Sequence, residues 1–283
     1  MMRLPYGVRV AARCQAGSGP PVVLLHGLAS TSRWWDLVVA ELPGRRLLRW
    51  DHRGHGLSSS PSAGYRVDVL AADAAAVLDT LRLAGCVVVG HSMGASVALM
   101  LAASRPDLVS AVCCVDGGLY DPRTMFGSSW PVAQPVMSID RRINPTRAML
   151  DAWAAGVGLP PTAAPSIAAN YQHAAPDQSA IRSGSARLRL RLTPEREQAL
   201  ARSVWQQRPD WVLAKVTAPV TAIMARPSDP AEVGLRHDAL HSTLTRAGRS
   251  IRQIWVDGGH DLPLQQPQRI AEEITTICTG VRT

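Results

Sequence analysis

The sequence predicts an α/β fold built on a mainly parallel, doubly wound sheet. Short apolar runs alternate with segments of helical periodicity, an order typical of chains whose strands lie parallel. Several of these runs are continuously apolar, as expected for strands that helices cover on both faces. With 283 residues, of which 46% are hydrophobic, the chain is also long enough to bury a sizeable core.

Six apolar runs are the candidate strands, because each is too short for a helix. They are Val22–His26, Leu47–Asp51, Cys86–Gly90, Ala111–Asp116, Val220–Ala225 and Ile251–Asp257. Between them, apolar residues recur every three or four positions from Val67 to Leu81, which predicts a helix. Further helices are expected from Met93 to the residue before Pro106 and after Pro267.

The alternation stops between residues 119 and 212, a stretch rich in Pro, Ala, Ser and Arg. Such a length is too great for a plain loop and requires structure of its own. Thr193-Pro194 followed by acidic residues is a typical helix start. We therefore expect a core formed by residues 1–118 and 213–283 and a mostly helical cap formed by residues 119–212.

Composition excludes several classes of function. The formal net charge is +8, but the basic residues are spread along the chain and no nucleic-acid-binding module accompanies them. No apolar run is long enough to span a membrane, and the N-terminus lacks the apolar segment of a secretory signal. The five cysteines lie mostly in apolar runs, as reduced core thiols do. The expectation is a cytoplasmic protein with a small-molecule substrate. The sequence does not decide between a monomer and a homodimer.

The strongest motif is Gly90-His91-Ser92-Met93-Gly94, which follows an apolar strand and precedes an apolar helix. A serine in a sharp strand-to-helix turn is exposed above the sheet, and glycines on both sides let the backbone pass closely. The helix N-terminus adds positive potential where an oxyanion would develop. This context indicates a nucleophilic serine.

The serine motif and three further motifs together resemble those of the α/β-hydrolase superfamily. Leu24-Leu25-His26-Gly27-Leu28 is similar to its oxyanion loop, and Asp51-His52-Arg53-Gly54-His55-Gly56-Leu57-Ser58 to its D-x-R-G-x-G-x-S turn. Gly258-Gly259-His260 with Pro267 resembles its catalytic-histidine loop. The resemblance implies Ser92 as nucleophile and His260 as base, without metal or cofactor, and places residues 119–212 where the family has its cap.

The acid that orients His260 has two candidates. Asp229 lies just past the run Val220–Ala225, where the resemblance places the acid, although the family usually has a glycine at the start of that loop. Asp229 before Pro230 is also a typical helix N-cap. Asp116, at the end of the strand after the nucleophile helix, is the alternative. We expect Asp229 to be the acid.

The oxyanion hole is expected from the backbone N–H groups of Leu28 and Met93. Trp34, Trp35 and Leu262 are candidates for the wall of the substrate pocket, although packing of the following helix explains the tryptophans equally well.

The alternating run Arg187-Leu188-Arg189-Leu190-Arg191 puts three guanidinium groups on one face. These could clamp an anionic substrate group, such as a carboxylate or a phosphopantetheine arm. A solvated face of the cap is the simpler interpretation, and we favour it.

The function predicted is hydrolysis of a carboxylic ester, lactone or thioester of a small, largely apolar substrate through a Ser-His-Asp triad and an acyl-enzyme. Acyl transfer or carbon–carbon cleavage on the same triad is an alternative that the motifs do not separate from hydrolysis. A ligand-binding receptor with a vestigial triad is a third.

Overall fold

The computed structural model describes residues 1–138, 144–174, 181–182 and 185–281. Its strands in chain order are β1 (Met2–Arg3), β2 (Arg9–Val10), β3 (Ala12–Gln15), β4 (Ser18–Leu25), β5 (Arg45–Trp50), β6 (Cys86–His91), β7 (Val109–Val115), β8 (Tyr171–His173), β9 (Leu188–Leu190), β10 (Val220–Arg226) and β11 (Arg252–Asp257).

The α-helices in chain order are α1 (Asp36–Ala40), α2 (Val67–Thr80), α3 (Met93–Ser104), α4 (Pro122–Phe126), α5 (Trp130–Met137), α6 (Arg147–Gly156), α7 (Ala164–Ala168), α8 (Pro194–Trp205), α9 (Pro209–Leu213), α10 (Pro230–Ala247), α11 (Leu262–Gln265) and α12 (Pro267–Gly280). Short 3₁₀ helices cover Ser32–Trp35, Pro106–Leu108 and Pro161–Ala163. Within the described ranges, no helix combines the length and the apolar character that crossing a membrane requires.

Seven strands form the central sheet in the order β11-β10-β7-β6-β4-β5-β3. Six of them are parallel and correspond to the six apolar runs, which confirms the predicted fold class. The seventh, β3, pairs antiparallel with β5 at the edge of the sheet. Its sequence, Ala-Arg-Cys-Gln, is short and largely polar, so it carries no strand signal.

Helices cover both faces of the sheet, as the continuously apolar strands predict. On one face Val23 and Val88 pack with residues of α2, α3 and α10. On the other face Val22, Val87 and Val89 pack with residues of α1 and α12. Because neighbouring residues of a strand point to opposite faces, every position of β6 is buried.

The described residues between β7 and β10 include helices α4–α9 and an antiparallel hairpin of β8 and β9. The hairpin is an addition to the mostly helical insertion that the sequence predicts. Contacts with the core include Ser203 Oγ, which accepts from Val67 N at 3.0 Å, and Arg196 Nη2, which donates to Ser60 O at 3.2 Å. These contacts place the insertion against the carboxyl side of β5.

Candidate active site

Ser92 occupies a tight turn between β6 and α3. Its backbone has φ 54° and ψ −121°, a left-handed conformation that costs a serine free energy. A Cβ placed on Gly90 would lie 2.2 Å from Gly94 O, and one on Gly94 would lie 2.3 Å from Leu25 O. Only glycine fits at either position, so the two glycines of the motif are what permit this turn.

His260 lies next to Ser92 at the end of the loop that follows β11. Its Nε2 is 2.9 Å from Ser92 Oγ. The loop is held from two sides: Gly259 N donates to Gln265 Oε1 at 2.8 Å, and His91 Nε2 donates to His260 O at 2.8 Å. The serine motif and the histidine loop are therefore in direct contact.

Asp116 is the carboxylate that meets His260. It follows β7 with φ 41°, and its Oδ2 is 2.7 Å from His260 Nδ1. Its Oδ1 accepts from Ala225 N at 3.0 Å and from Arg236 Nη1 at 2.9 Å. The side chain is 1% exposed, so these partners hold the carboxylate in one orientation.

This arrangement corrects the expected position of the acid. Asp229 is exposed and caps helix α10, where its Oδ1 accepts from Ala231 N at 2.9 Å. Strand β10 continues one residue past the predicted run, and Pro230 begins α10 shortly afterwards. The N-cap interpretation of Asp229 is therefore the one observed, and the carboxylate beside His260 is the alternative, Asp116.

Electrostatics favour an ionised Asp116 and a more basic His260. Burial raises the pKa of Asp116, but the hydrogen bond and charge of His260 and the charge of Arg236 outweigh it, so the pKa lies below its ordinary value. Burial lowers the pKa of His260, but the hydrogen bond and charge of Asp116 raise it above 6.5. His260 is thus suited to accept a proton from Ser92 Oγ.

The two candidate oxyanion donors lie on turns beside Ser92. Met93 is the first residue of α3, and a Cβ built on Gly27, just before Leu28, would be 3.1 Å from Ser92 Cβ. The turn of Leu28 is supported by His55, whose Nε2 accepts from Ala29 N at 3.1 Å. The loop carrying Leu28 therefore lies close against the serine.

Buried histidines hold this loop in their neutral form. His26 Nδ1 donates to Gly27 O at 2.8 Å, while its Nε2 accepts from His52 N at 2.9 Å. Burial lowers the pKa of His26, His52 and His55 to about 3. Because a neutral imidazole has one donor and one acceptor, it can connect two backbone groups in this way.

Trp35 and Leu262 are not pocket residues in this structure. Both side chains are fully buried in the core on the α1 and α12 face of the sheet, where no surface is left for a ligand. Trp34 is also buried and packs against insertion residues such as Ala154 and Ile167. For the two tryptophans, the packing explanation is the one observed.

Arg236 is the residue at this site that sequence reasoning missed. It lies seven positions after Asp229 on α10 and reaches back to Asp116, while Glu232 Oε1 accepts from its Nη2 at 2.8 Å. An arginine on an amphipathic helix gives no sequence signal of such a contact. The contact exists because β7 and β10 are neighbours in the sheet.

In the described part of the chain, no group of three or more His, Cys, Asp or Glu side chains is arranged to hold a metal ion. His237, one of two histidines spaced four apart on α10, stacks on Trp255 with ring centroids 3.8 Å apart.

Several known proteins are similar to this chain. Over 103 residues it is 38% identical to 2-(acetamidomethylene)succinate hydrolase of Mesorhizobium japonicum, covering 36% of this chain and 37% of that protein. Over 101 residues it is 43% identical to sn-1-specific diacylglycerol lipase ABHD11 of Mus musculus, covering 34% and 32%. The chain spans less than half the length of these curated relatives.

Solved structures show the same fold over nearly the whole chain. E-2-(acetamidomethylene)succinate hydrolase superposes with a TM-score of 0.76 at 24% identity, covering 97% of both chains. The thioesterase domain from the curacin biosynthetic pathway superposes with a TM-score of 0.70 at 20% identity, covering 95% of this chain and 96% of that one. At these identities the likeness concerns the fold alone.

A family model described as alpha/beta hydrolase fold matches residues 20–211, more than half of the chain. This match and the seven-stranded sheet agree with the motifs around Ser92 and His260. The chain belongs to the α/β-hydrolase fold family.

Proposed function

We propose that the chain is a serine hydrolase in which Ser92 is the nucleophile, His260 the general base and Asp116 the orienting acid. The observation that carries the proposal is the continuous pair of contacts, 2.7 Å from Asp116 Oδ2 to His260 Nδ1 and 2.9 Å from His260 Nε2 to Ser92 Oγ. A serine hydroxyl is a weak nucleophile unless a base lies within hydrogen-bond reach.

In the first half of the reaction, Ser92 Oγ attacks the substrate carbonyl carbon while His260 Nε2 takes the hydroxyl proton. The carbonyl oxygen becomes an oxyanion, which the N–H groups of Leu28 and Met93 stabilise. The intermediate collapses to an acyl-enzyme, and the leaving group departs with the proton from His260 Nε2. Asp116 stabilises the imidazolium and fixes its orientation throughout.

Water completes the cycle. His260 Nε2 takes a proton from water as its oxygen attacks the acyl carbon, and returns that proton to Ser92 Oγ when the carboxylic acid leaves. Hydrolysis is favoured over acyl transfer because two similar proteins are named as a hydrolase and a lipase. The proposed substrate is a small, largely apolar carboxylic ester, lactone or thioester.

The first test is labelling by a fluorophosphonate probe, which reacts with activated serine hydroxyls. Wild-type protein should be labelled at Ser92, and the Ser92→Ala variant should not be labelled. Ser104→Ala, an exposed serine at the end of the same helix, is the matched control and should be labelled as the wild type is. Absence of labelling in folded wild-type protein would overturn the proposal and favour a receptor.

The second test is a panel of chromogenic esters of increasing chain length, lactones and thioesters, with product masses recorded with and without an added alcohol. Free acid as the only product supports hydrolysis. A product in which the acyl group is joined to the added alcohol indicates an acyltransferase.

A further inference from the structure

A cavity of about 950 Å³ lies between the insertion and the core, apart from the residues that carry the proposed reaction. Its walls come from α6, the β8–β9 hairpin, the start of α8 and the turn that contains Gly54 and Gly56. Neither Ser92 nor His260 is among its lining residues. Its volume is within the range of small-molecule sites.

One wall of this cavity is strongly basic. Arg189, Arg191 and Arg196 all line it. Arg189 and Arg191 are two residues apart, and Arg191 N continues the hairpin by donating to Asn170 O at 3.0 Å, so both side chains project to the same face. The three positive charges therefore surround one space.

These charges are not neutralised by the protein in the part of the chain that the structure describes. No described carboxylate forms an ion pair with any of the three arginines. With the Gln172 side-chain amide turned so that its oxygen faces Arg189, that oxygen accepts from Arg189 Nε at 3.1 Å and from Arg189 Nη2 at 3.2 Å. The guanidinium carbon of Arg196 lies 5.4 Å from the ring centre of Tyr65. Both partners are uncharged. Like charges gathered around a concave space attract an anion.

Another part of the wall is apolar. Met149 and Trp153 are one helical turn apart on α6, both line the cavity, and they are 41% and 47% exposed. Leu150 lies between them and is buried. Large apolar side chains that remain this exposed are favourable contact surface for the apolar part of a ligand.

From this arrangement we infer that the cavity binds an amphipathic organic anion. Arg189 and Arg191 hold its carboxylate or phosphate group, because the planar guanidinium donates paired hydrogen bonds to either group. Met149 and Trp153 contact its aliphatic or aromatic body. This inference goes beyond the proposed function and does not depend on it. Ser92 does not line the cavity, and occupancy of the cavity is measured by binding and not by catalysis.

The test uses cis-parinaric acid, a fluorescent fatty acid whose emission rises in an apolar site. It is titrated into wild-type protein before and after fluorophosphonate treatment, so that binding near Ser92 is separated from binding in the cavity. Treated protein should bind the probe. The Arg189→Gln and Arg191→Gln variants should each bind it about tenfold more weakly, the loss expected for one charged hydrogen bond.

The matched control is Arg202→Gln, an exposed arginine on the same helix as Arg196 that does not line the cavity. It should bind with wild-type affinity. Raising the salt concentration should weaken binding to the wild type more than to Arg189→Gln, because added ions screen the guanidinium charge.

Competition distinguishes the two kinds of anion. Dodecanoate and dodecyl phosphate should displace the probe, and the tighter of the two identifies the preferred head group. Dodecanol has the same chain without charge and should displace the probe far less.

Three outcomes would overturn the inference. They are equal displacement of the probe by dodecanol, unchanged probe affinity in both arginine variants, and loss of all probe binding after labelling of Ser92. A protein that fluorophosphonate does not label contradicts the proposed hydrolase alone, and the arginine variants still decide the anion site.

Discussion

Arg236 donates from Nη1 to both carboxylate oxygens of Asp116, at 2.9 and 3.2 Å. The same carboxylate accepts from His260 Nδ1 at 2.7 Å, so a permanent cation and a titratable base share one buried acid. The charge of Asp116 raises the pKa of His260, and the charge of Arg236 lowers it. The basicity of His260 thus depends on a residue that does not contact it through any hydrogen bond in the described structure.

Asp116→Asn should lower kcat roughly 10⁴-fold, the loss measured when the acid of such a triad becomes an amide. An asparagine can donate its own N–H toward His260 Nδ1 and so favour the tautomer that leaves Nε2 protonated. That tautomer cannot accept the proton of Ser92 Oγ. The measurement is kcat on an ester that the wild type hydrolyses, with circular dichroism to check the fold.

Asp229→Asn is the matched control. Its carboxylate caps α10 and is exposed, and asparagine caps a helix about as well as aspartate. Activity should remain at the wild-type level and stability should change by less than about 1 kcal/mol. If Asp229→Asn inactivates the enzyme while Asp116→Asn does not, the acid has been misassigned.

Arg236→Gln should move the acid limb of the kcat/KM profile to higher pH. The base must be neutral to act, so activity falls as the pH drops through the pKa of His260, which already lies above 6.5. The Arg236 charge lowers the pKa of His260, so removing that charge raises this pKa. Each unit of displacement lowers the rate on the acid limb about tenfold.

The pH dependence of fluorophosphonate labelling provides an independent readout of the same pKa. Arg226→Gln is the control, because Arg226 pairs at 3.2 Å with the exposed Asp257. Its profile should match that of the wild type. An acid limb that stays in place or moves to lower pH in Arg236→Gln would show that the arginine does not act on His260 in this way.

The core of the fold could be predicted from sequence because its parallel strands coincide with short apolar runs, several of them continuously apolar. Short apolar runs that alternate with helical segments predict strands clearly. The two glycines on either side of Ser92 predict the sharp turn there. The loop ending at His260 is identified by its own glycines. These signals are local, so a single sequence contains them.

The choice between Asp116 and Asp229 is not local. Asp229 satisfies a capping rule, and Asp116 follows an apolar strand without any special motif. Which carboxylate meets His260 depends on where β10 ends and on the direction in which α10 leaves the sheet. The burial of Trp35 and Leu262 likewise depends on how α1, α11 and α12 pack, which residue type alone does not determine.

Gly94→Ala should destabilise the fold by about 1–3 kcal/mol, the usual cost of forcing an extra methyl group into a packed site. The new Cβ would lie 2.3 Å from Leu25 O, which is backbone of a central strand and cannot rotate away. Chemical denaturation measures the change. An unaltered free energy of unfolding would mean that α3 can shift away from β4 without loss.

The comparison variant is Gly234→Ala in the interior of α10, where a Cβ would meet no atom within 4 Å. Alanine is the better helix former by about 1 kcal/mol, so this substitution should stabilise the protein. Opposite signs at the two glycines would separate the effect of close packing from that of glycine content.

The buried histidines near the oxyanion loop should make the fold sensitive to acid. Burial depresses the pKa of His26, His52 and His55 to about 3, whereas an unfolded histidine takes up a proton near pH 6.5. Between these values the unfolded state binds more protons than the folded state. The free energy of unfolding therefore falls as the pH is lowered through this window, by up to about 1.4 kcal/mol per pH unit for each histidine.

Urea denaturation at pH 7.5, 6.0 and 5.0 measures this slope. In the His55→Gln variant the slope should be smaller by about one proton, because glutamine can accept from Ala29 N but does not titrate. A wild-type protein equally stable at pH 5.0 and 7.5 would contradict the argument. Histidines that stay neutral in the folded state and take up protons in the unfolded state must make the free energy of unfolding depend on pH.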